Sequence, residues 1–168
     1  MLTLYVMRHA KSSWDDPGLN DFQRPLNKRG RHNAKLMKKI MKKKGMFFDF
    51  ANVSGAERTQ QTFKYIKDLN LKKKKIKKEH YLASPKDLLT SIQSTKDKYK
   101  SILILNHEPT VKNLTFQLCS DLTDSSKTLL EKFSTAAIAT IVFKKVSWSR
   151  IEFGDGILDG FIKPKDFY

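Results

Sequence analysis

The chain has 168 residues and a formal net charge of +16, from 33 lysines and arginines against 17 aspartates and glutamates. Its 39% hydrophobic fraction suffices for one ordinary core, so we expect a single domain over residues 1–168 that needs no metal or disulfide to fold. The one cysteine, Cys119, excludes an intramolecular disulfide and any multi-cysteine metal site. Apolar runs of only a few residues exclude a membrane-spanning helix, and we expect a cytoplasmic location.

The first half of the chain alternates strand-like and helical patterns. Apolar residues recur at helical spacing after Asn27, a good N-terminal cap, as far as about Lys44, and Gly45 suits the end of that helix. In chain order the patterns predict a strand, a helix, a strand, a helix and a short edge strand, over residues 2–7, 27–44, 47–53, 57–69 and 76–81.

The second half continues the alternation. Pro85 suits the first turn of a helix that carries Leu88, Leu89 and Ile92. A buried strand, a helix and two β-rich runs follow, over residues 101–105, 110–118, 136–143 and 148–153. Strands that alternate with helices predict an α/β fold, a three-layer αβα sandwich whose central sheet is mostly parallel, with the last two strands antiparallel.

Most of the positive charge is lysine, which crowds into residues 35–44 and 72–78. The first run forms the polar face of the predicted amphipathic helix, and the second is expected to be a loop that enters a strand. Neither run is interleaved with aromatic residues, as binders of nucleic acid usually are, so nucleic acid is not an expected partner. We interpret both runs as solvated faces, with a surface for an acidic partner or polyanion as the alternative.

Arginine and histidine side chains stand where three of the predicted strands end. Arg8 and His9 follow the first strand, Arg58 lies just beyond the second, and Asn106 and His107 follow the strand at 101–105. Ligands of open α/β sheets bind beyond the carboxyl ends of the strands, so these side chains converge if the strands are neighbours. The planar fork of arginine and the N–H groups of helix N-termini suit a phosphoryl group, and phosphate or sulfate is the expected occupant.

A histidine in such a pocket can act as a nucleophile. We expect the neighbouring arginines to disfavour the imidazolium form, which leaves one ring nitrogen unprotonated near neutral pH. That nitrogen can attack phosphorus in line while a backbone carbonyl holds the other ring N–H. The guanidinium groups and the second histidine would stabilise charge on the equatorial oxygens. The product is a phosphohistidine intermediate that water hydrolyses, and no metal or other cofactor is needed.

These segments resemble the histidine phosphatase superfamily, also called phosphoglycerate mutase-like. Met7-Arg8-His9-Ala10 resembles its RHG or RHA signature, residues 54–62 resemble its S-x-x-x-R-x-x-Q-T motif, and residues 106–109 (NHEP) resemble the motif of its distal histidine. Residues 21–26 (DFQRPL) and 134–139 (STAAIA) resemble the short branch, the SixA-type phosphohistidine phosphatases. The resemblance spans nearly the whole chain in order, and it implies a phosphoglycerate mutase-like fold and a phosphatase activity.

The resemblance implies that His9 is the nucleophile and that three side chains complete the catalytic set and bind phosphate: Arg8, Arg58 and His107. It places Asp21 and Arg24 at the rim, in contact with substrate. From the residues alone, that pair can equally form an ion pair that holds the first long loop. Ser54 is expected to cap the helix that follows it.

No motif marks the acid that would protonate a leaving group. Larger members of the superfamily carry a carboxylate on an inserted segment that this compact chain lacks, and Glu108 and Asp21 are candidates by position only. Histidine has a pKa of about 6.5, so imidazole leaves more easily than an alkoxide. A site without a dedicated acid should therefore favour phosphohistidine, on a signalling or phosphocarrier protein, over phosphate esters.

Two other functions stay open. One is a phosphatase for small phosphate esters or phosphoserine, and the other is a non-catalytic basic module that binds phosphorylated or nucleic-acid partners. The intact arginine and histidine set disfavours the second. The spacing of other residues excludes two further chemistries. A cysteine phosphatase needs the motif C-x5-R, but Ser125 occupies the arginine position after Cys119. A zinc enzyme with an H-E-x-x-H helix needs a second histidine after His107, and none is present at that spacing.

Overall fold

In the computed structural model, which describes residues Met1 to Tyr168, six strands form one sheet between two layers of helices. The strands are β1 (Leu2–Arg8), β2 (Phe48–Ser54), β3 (Asn70–Lys77), β4 (Ser101–Asn106), β5 (Ile138–Phe143) and β6 (Ile157–Ile162). The α-helices are α1 (Lys28–Lys43), α2 (Glu57–Ile66), α3 (Pro85–Gln93), α4 (Thr110–Leu118) and α5 (Asp124–Glu131). Short 3-10 helices cover Asp21–Gln23, Lys67–Leu69, Lys78–Leu82, Trp148–Arg150 and Pro164–Phe167. None of the helices combines the length and the apolar composition that crossing a membrane requires.

The sheet is mostly parallel, as the sequence predicts. Its strand order is β3-β2-β4-β1-β5-β6, in which β3, β2, β4 and β1 run parallel and β5 runs antiparallel to both of its neighbours. The central strands bury alternate side chains on opposite faces: Leu4 and Val6 join the core under α3, α4 and α5, whereas Tyr5 and Met7 join the core under α1 and α2. The α/β class and the three-layer arrangement are therefore confirmed.

The predicted signals at the ends of α1 and α3 are present. The Asn27 side chain caps α1 by accepting a hydrogen bond from the Gly30 amide at 2.8 Å, and Gly45 follows the helix with a φ of +69°. Ser84 and Asp87 cap α3 reciprocally, with Pro85 at its first position.

The second lysine run is a strand, so the prediction of a loop there, leading to a strand at 76–81, is wrong. The strand β3 spans Asn70–Lys77, and Lys78–Leu82 forms a 3-10 helix. It is an edge strand that pairs with β2 alone, and its lysines are exposed. Because an edge strand takes its pairing from the backbone and need not bury its side chains, a run of lysines can form one despite its polarity.

The end of the chain also differs from the prediction. Residues 148–153 form a 3-10 helix and a turn, whereas the antiparallel partner of β5 is β6, at Ile157–Ile162. Trp148 and Ile151 of the predicted strand are buried in the core instead, and the Trp148 indole N–H donates to the Tyr99 carbonyl at 2.6 Å. The helix α5 was not predicted.

Candidate active site

The ends of β1, β4 and β2 bring the predicted catalytic side chains together. These strands are adjacent in the sheet, and the His9 and His107 rings follow β1 and β4 with their centroids 5.1 Å apart. The Nε of Arg58, in the first turn of α2 after β2, lies 3.3 Å from the Nε2 of His9. All three side chains are buried. The predicted convergence at the carboxyl edge of the sheet is present.

His9 is held with one ring nitrogen free of a proton. Its Nδ1 lies 2.7 Å from the carbonyl oxygen of Ala10, which can only accept a hydrogen bond, so Nδ1 carries the proton. Its Nε2 then accepts the bond from Arg58. Burial lowers the pKa of His9 well below its usual range, the hydrogen bond to the Ala10 carbonyl opposes this, and the charges of Arg58 and Arg8 lower the pKa further. Burial, rather than the expected arginines, is the larger cause of its neutral state.

The backbone around His9 is fixed from two sides. The His9 amide donates to the Asn106 carbonyl at 3.1 Å, which ties the end of β1 to the end of β4. The Ala136 amide donates to the carbonyl oxygens of both Arg8 and His9, at 3.1 and 3.0 Å. Ala136 has a φ of +63°, in the left-handed region that few side chains adopt, and its small, buried side chain allows this close approach.

Arg8 presents a buried donor that no protein group satisfies. Its Nη1 donates to the Phe133 carbonyl at 3.0 Å, whereas its Nε is buried without a hydrogen-bond partner. Burial lowers the pKa of the guanidinium, and nearby Glu108 opposes that effect. A buried, unpaired donor on a cation is costly, and an oxyanion satisfies it. This donor therefore fits a phosphoryl oxygen.

Asp21 links the two arginines that face the rim. Arg58 donates to the Asp21 carboxylate through Nη2 at 2.9 Å and to the Asp21 carbonyl through Nη1 at 2.6 Å. Arg24 donates to the other carboxylate oxygen through Nε at 3.1 Å. Asp21 and Arg24 form the expected ion pair, and Asp21 alone of the two also contacts the catalytic cluster, through Arg58.

Tyr81 is a site residue that the sequence did not reveal. Its hydroxyl donates to the Asp21 carboxylate, its ring meets the His107 ring edge-on with centroids 5.4 Å apart, and the Arg58 guanidinium lies 5.8 Å from its centroid. No motif marks this tyrosine, which reaches the site from the 3-10 helix after β3. Although burial raises the pKa of Asp21, hydrogen bonds from Tyr81 and the arginines outweigh burial and lower it to about 2. Asp21 therefore has no proton to donate at neutral pH, which argues against its role as general acid.

Arg24 lies beneath an exposed aromatic ring. Its guanidinium carbon is 3.5 Å from the centroid of the Trp14 ring, and its Nη1 donates to the Ser13 carbonyl at 3.2 Å. Arg24 is buried, whereas Trp14 is 72% exposed. The loop between β1 and α1 thus holds Arg24 at the entrance from both sides.

Ser54 positions His107 and does not cap α2. The Ser54 hydroxyl lies 2.7 Å from the Nε2 of His107, and both side chains are buried. The N-terminal cap of α2 is Ala56, with no side-chain hydrogen bond, so the expected capping role is wrong. The Ser54 hydroxyl also accepts a long bond from the Ala56 amide, at 3.5 Å, and we assign its hydrogen to the bond with Nε2. The proton of His107 then resides on Nδ1, a buried nitrogen without a protein partner. Burial lowers the pKa of His107 to about 3, with Arg58 adding to the effect, so the ring is neutral.

Glu108 is the remaining candidate acid. It is half-buried next to His107, and burial raises the pKa of its carboxyl group, while a bond from the Lys112 amide at 3.1 Å and the charge of Arg8 oppose this. Nowhere in the structure are three or more His, Cys, Asp or Glu side chains grouped as ligands of a metal ion.

Comparison with known families gives one match to a family model. The model of the histidine phosphatase superfamily, branch 1, matches residues 4–82, which include the segments around His9 and Arg58. An uncharacterized protein of Mycobacterium tuberculosis is 31% identical to this chain over 164 residues, which cover 95% of this chain and 100% of the relative.

Two solved structures share the fold over almost the whole chain. A candidate phosphohistidine phosphatase SixA from Nakamurella multipartitia superposes with a TM-score of 0.85 at 21% identity, covering 97% of this chain and 96% of the other. The protein histidine phosphatase SixA complexed with tungstate superposes with a TM-score of 0.81 at 23% identity, covering 99% and 100%. The predicted phosphoglycerate mutase-like fold is thereby confirmed.

Proposed function

The chain belongs to the histidine phosphatase superfamily, and from that premise we propose that it is a phosphatase whose nucleophile is His9 and whose preferred substrate is phosphohistidine carried by a protein. The observation that carries the proposal is the state of His9. Its Nε2 is unprotonated and faces Arg58, in a cluster where Arg8 holds a buried donor without a partner. A lone pair beside two guanidinium groups, one of which has an unsatisfied donor, suits attack on a phosphoryl group.

In the proposed reaction, the Nε2 of His9 forms a bond to phosphorus as the bond from phosphorus to the leaving nitrogen breaks. The Nδ1–H of His9 donates to the Ala10 carbonyl throughout, so the imidazole stays correctly oriented. Arg8, Arg58 and the Nδ1–H of His107 bind the three equatorial oxygens. Water then attacks phosphorus, releases phosphate and restores His9. No step uses a metal ion.

The leaving group argues for a phosphoramidate substrate. Asp21, with a pKa of about 2, does not supply a proton at neutral pH. An imidazole ring whose second nitrogen is protonated leaves as a neutral molecule and does not require an acid, whereas an alkoxide does. The shared fold with structures described as phosphohistidine phosphatases, one of them complexed with the tetrahedral oxyanion tungstate, supports the same substrate class.

Phosphate esters are the second candidate substrates, because of Glu108. Burial raises the pKa of its carboxyl group beside Arg8, so a fraction of Glu108 holds a proton at a higher pH than an ordinary glutamate. If that proton reaches the leaving oxygen, the site can hydrolyse small esters or phosphoserine.

The experiment measures phosphate release in the presence of a chelator from a protein phosphorylated on histidine, an aryl phosphate and an alkyl phosphate. Wild type is compared with His9→Ala and with the matched control His32→Ala, which alters an exposed histidine on α1. We expect release to be fastest on phosphohistidine, absent in His9→Ala and normal in His32→Ala. A rapid quench should trap acid-labile, alkali-stable phosphate on wild type.

Faster turnover of the alkyl ester would overturn the substrate class and retain the nucleophile. Normal release by His9→Ala would overturn the nucleophile. Activity that the chelator abolishes would overturn the metal-independent mechanism.

A further inference from the structure

A cleft lined by lysines lies beside the edge strand. The lysines of β3 alternate between its two faces, so Lys73, Lys75 and Lys77 share one face. In register they stand opposite Phe50, Asn52 and Ser54 of β2, and Phe50 and Asn52 form the floor of the cleft.

Lysines from a second segment complete the same cleft. Lys96 and Lys98, in the chain that follows α3, line it from the other side. Its volume is about 120 Å³, and its remaining lining residues are polar or buried aromatic: Ser91, Ser94, Thr95 and Tyr99. We call this feature, with its five lysines, the lysine cleft.

The lysine cleft carries no compensating negative charge. No acidic side chain lines it, and none of its five lysines lies within 4.0 Å of a carboxylate. The other face of β3 differs, because Lys72 is 3.8 Å from an Asp49 carboxylate oxygen. Each side also has one lysine over an aromatic ring, Lys74 over Phe63 and Lys98 of the cleft over Tyr99. Lysines on an edge strand discourage pairing with other strands, but that role does not explain two further lysines on a neighbouring segment. Five like charges around one cleft repel each other, and an anion relieves that repulsion.

The lysine cleft begins at the edge of the sheet that holds the catalytic cluster. Lys77 stands in register with Ser54, which contacts His107, and the Gly55 amide donates to the Lys77 carbonyl at 3.0 Å. From Lys77 the cleft runs along the strand to Lys73, a distance of about 13 Å at the usual rise per residue. A protein whose phosphorylated side chain enters the site therefore has neighbouring surface in reach of the cleft.

We propose that the lysine cleft docks an acidic segment of the phosphorylated protein substrate, an inference that rests on the proposed function. Charge complementarity requires an anionic occupant. The lining argues against nucleic acid, since it contains no arginine and its aromatic side chains, Phe50 and Tyr99, are only 6% and 7% exposed and cannot stack on bases.

The test compares the triple variant Lys73→Gln, Lys75→Gln, Lys77→Gln with a control of equal charge on α1, Lys39→Gln, Lys42→Gln, Lys43→Gln. The substrates are a peptide with a central phosphohistidine and glutamate-rich flanks, its counterpart with glutamine flanks, and free phosphoramidate. For the cleft variant we expect KM on the acidic peptide to rise about tenfold with kcat unchanged, since each exposed charge pair contributes roughly two- to fivefold. The other two substrates and the control variant should change less than twofold, and the effect should fade as salt approaches about 0.3 M.

An equal loss in both triple variants, or a loss on all three substrates, would overturn the docking role. A second measurement does not depend on turnover: fluorescence anisotropy of the unphosphorylated acidic peptide should show weaker binding to the cleft variant alone. Failure of the proposed function would show as no release from any substrate by wild type, while this binding difference persists. Tighter binding of a single-stranded oligonucleotide of equal charge at the cleft would replace the acidic protein with nucleic acid as the occupant.

Discussion

Removal of the Ser54 hydroxyl tests how His107 is prepared for its role. In the wild type, the hydroxyl lies 2.7 Å from Nε2. With the hydroxyl as donor, the proton of the neutral ring is on Nδ1, which has no protein partner. In Ser54→Ala the ring no longer has a donor at Nε2, so a tautomer with the proton on Nε2 becomes accessible. That tautomer presents a lone pair, rather than an N–H, toward a bound phosphoryl oxygen.

The magnitude follows from one buried hydrogen bond. A net contribution of about 1.5 kcal/mol, the upper end for a neutral pair and suited to this short, fully buried one, is close to a tenfold change in the tautomer ratio. We therefore expect kcat/KM to fall by up to about tenfold in Ser54→Ala, less than the 10²- to 10³-fold or so expected when a whole donor is removed in His107→Ala. The free energy of unfolding should fall by about 1–3 kcal/mol, because Nε2 is left unsatisfied.

The assay combines kinetics on phosphoramidate with ¹⁵N spectra of the histidine rings, which distinguish the two tautomers. Thr115→Val is the matched control, because it removes another buried hydroxyl, one that donates to the Val111 carbonyl within α4 and not to a histidine. Refutation would be a His107 ring that keeps its proton on Nδ1 in Ser54→Ala, or a tenfold loss of activity with the tautomer unchanged.

Three further predictions address charge, pH and packing. Asp21→Asn should bind inorganic phosphate about threefold more tightly by calorimetry. The substitution removes the negative charge of the carboxylate, which repels a phosphate at about 6 Å in a water-like dielectric by roughly this amount. Weaker binding would mean that the carboxylate chiefly orients the arginines. The pKa of His107 is lowered from 6.5 to about 3 by folding. Between these two pH values the imidazole is protonated in the unfolded chain and neutral in the folded one, so acid favours unfolding. Urea unfolding should show full stability above pH 6.5, lost as the pH falls toward 3, and a shallower pH dependence in His107→Gln. Gly30→Ala should lower Tm markedly, since the new Cβ would lie 2.1 Å from the Lys11 carbonyl oxygen, whereas Gly160→Ala meets no atom within 4 Å and should change Tm little.

The sequence allowed the strand-end residues to be predicted because chain order and sheet geometry determine their positions. Arg8, His9 and His107 directly follow parallel strands, and the carboxyl ends of such strands share one edge. The roles of Tyr81 and Ser54 could not be predicted in this way. The contact of Tyr81 with Asp21 depends on how a 3-10 helix packs, and that of Ser54 with His107 depends on where a buried hydroxyl points. Burial is the main reason that His9 and His107 are neutral, and the sequence points to the arginines instead because burial is a property of the folded chain.

The errors in secondary structure have a common physical origin. The polarity of the lysines of β3 suggests exposure and therefore predicts a loop, but an edge strand is also exposed on one side. The aromatic and branched residues around Trp148 predict a strand because such residues favour both strands and cores, and here Trp148 and Ile151 are buried in the core. Local composition reports burial more directly than it reports backbone geometry.

The active site is built on two parts of the fold that should differ in local stability: the central strands, and the loop between β1 and α1. Arg8 and His107 adjoin β1 and β4, strands paired on both sides, and amides there should exchange with solvent only on global unfolding. Asp21 and Arg24 belong to the loop between β1 and α1, which is fastened by an isolated bridge from Ser12 to Leu26 and by side-chain contacts. We expect this loop to open at a lower free energy than the strands, as a separate cooperative unit. Its opening would break the bonds between Arg58 and Asp21, whereas the backbone of β1 and β4 would keep His9 and His107 in place.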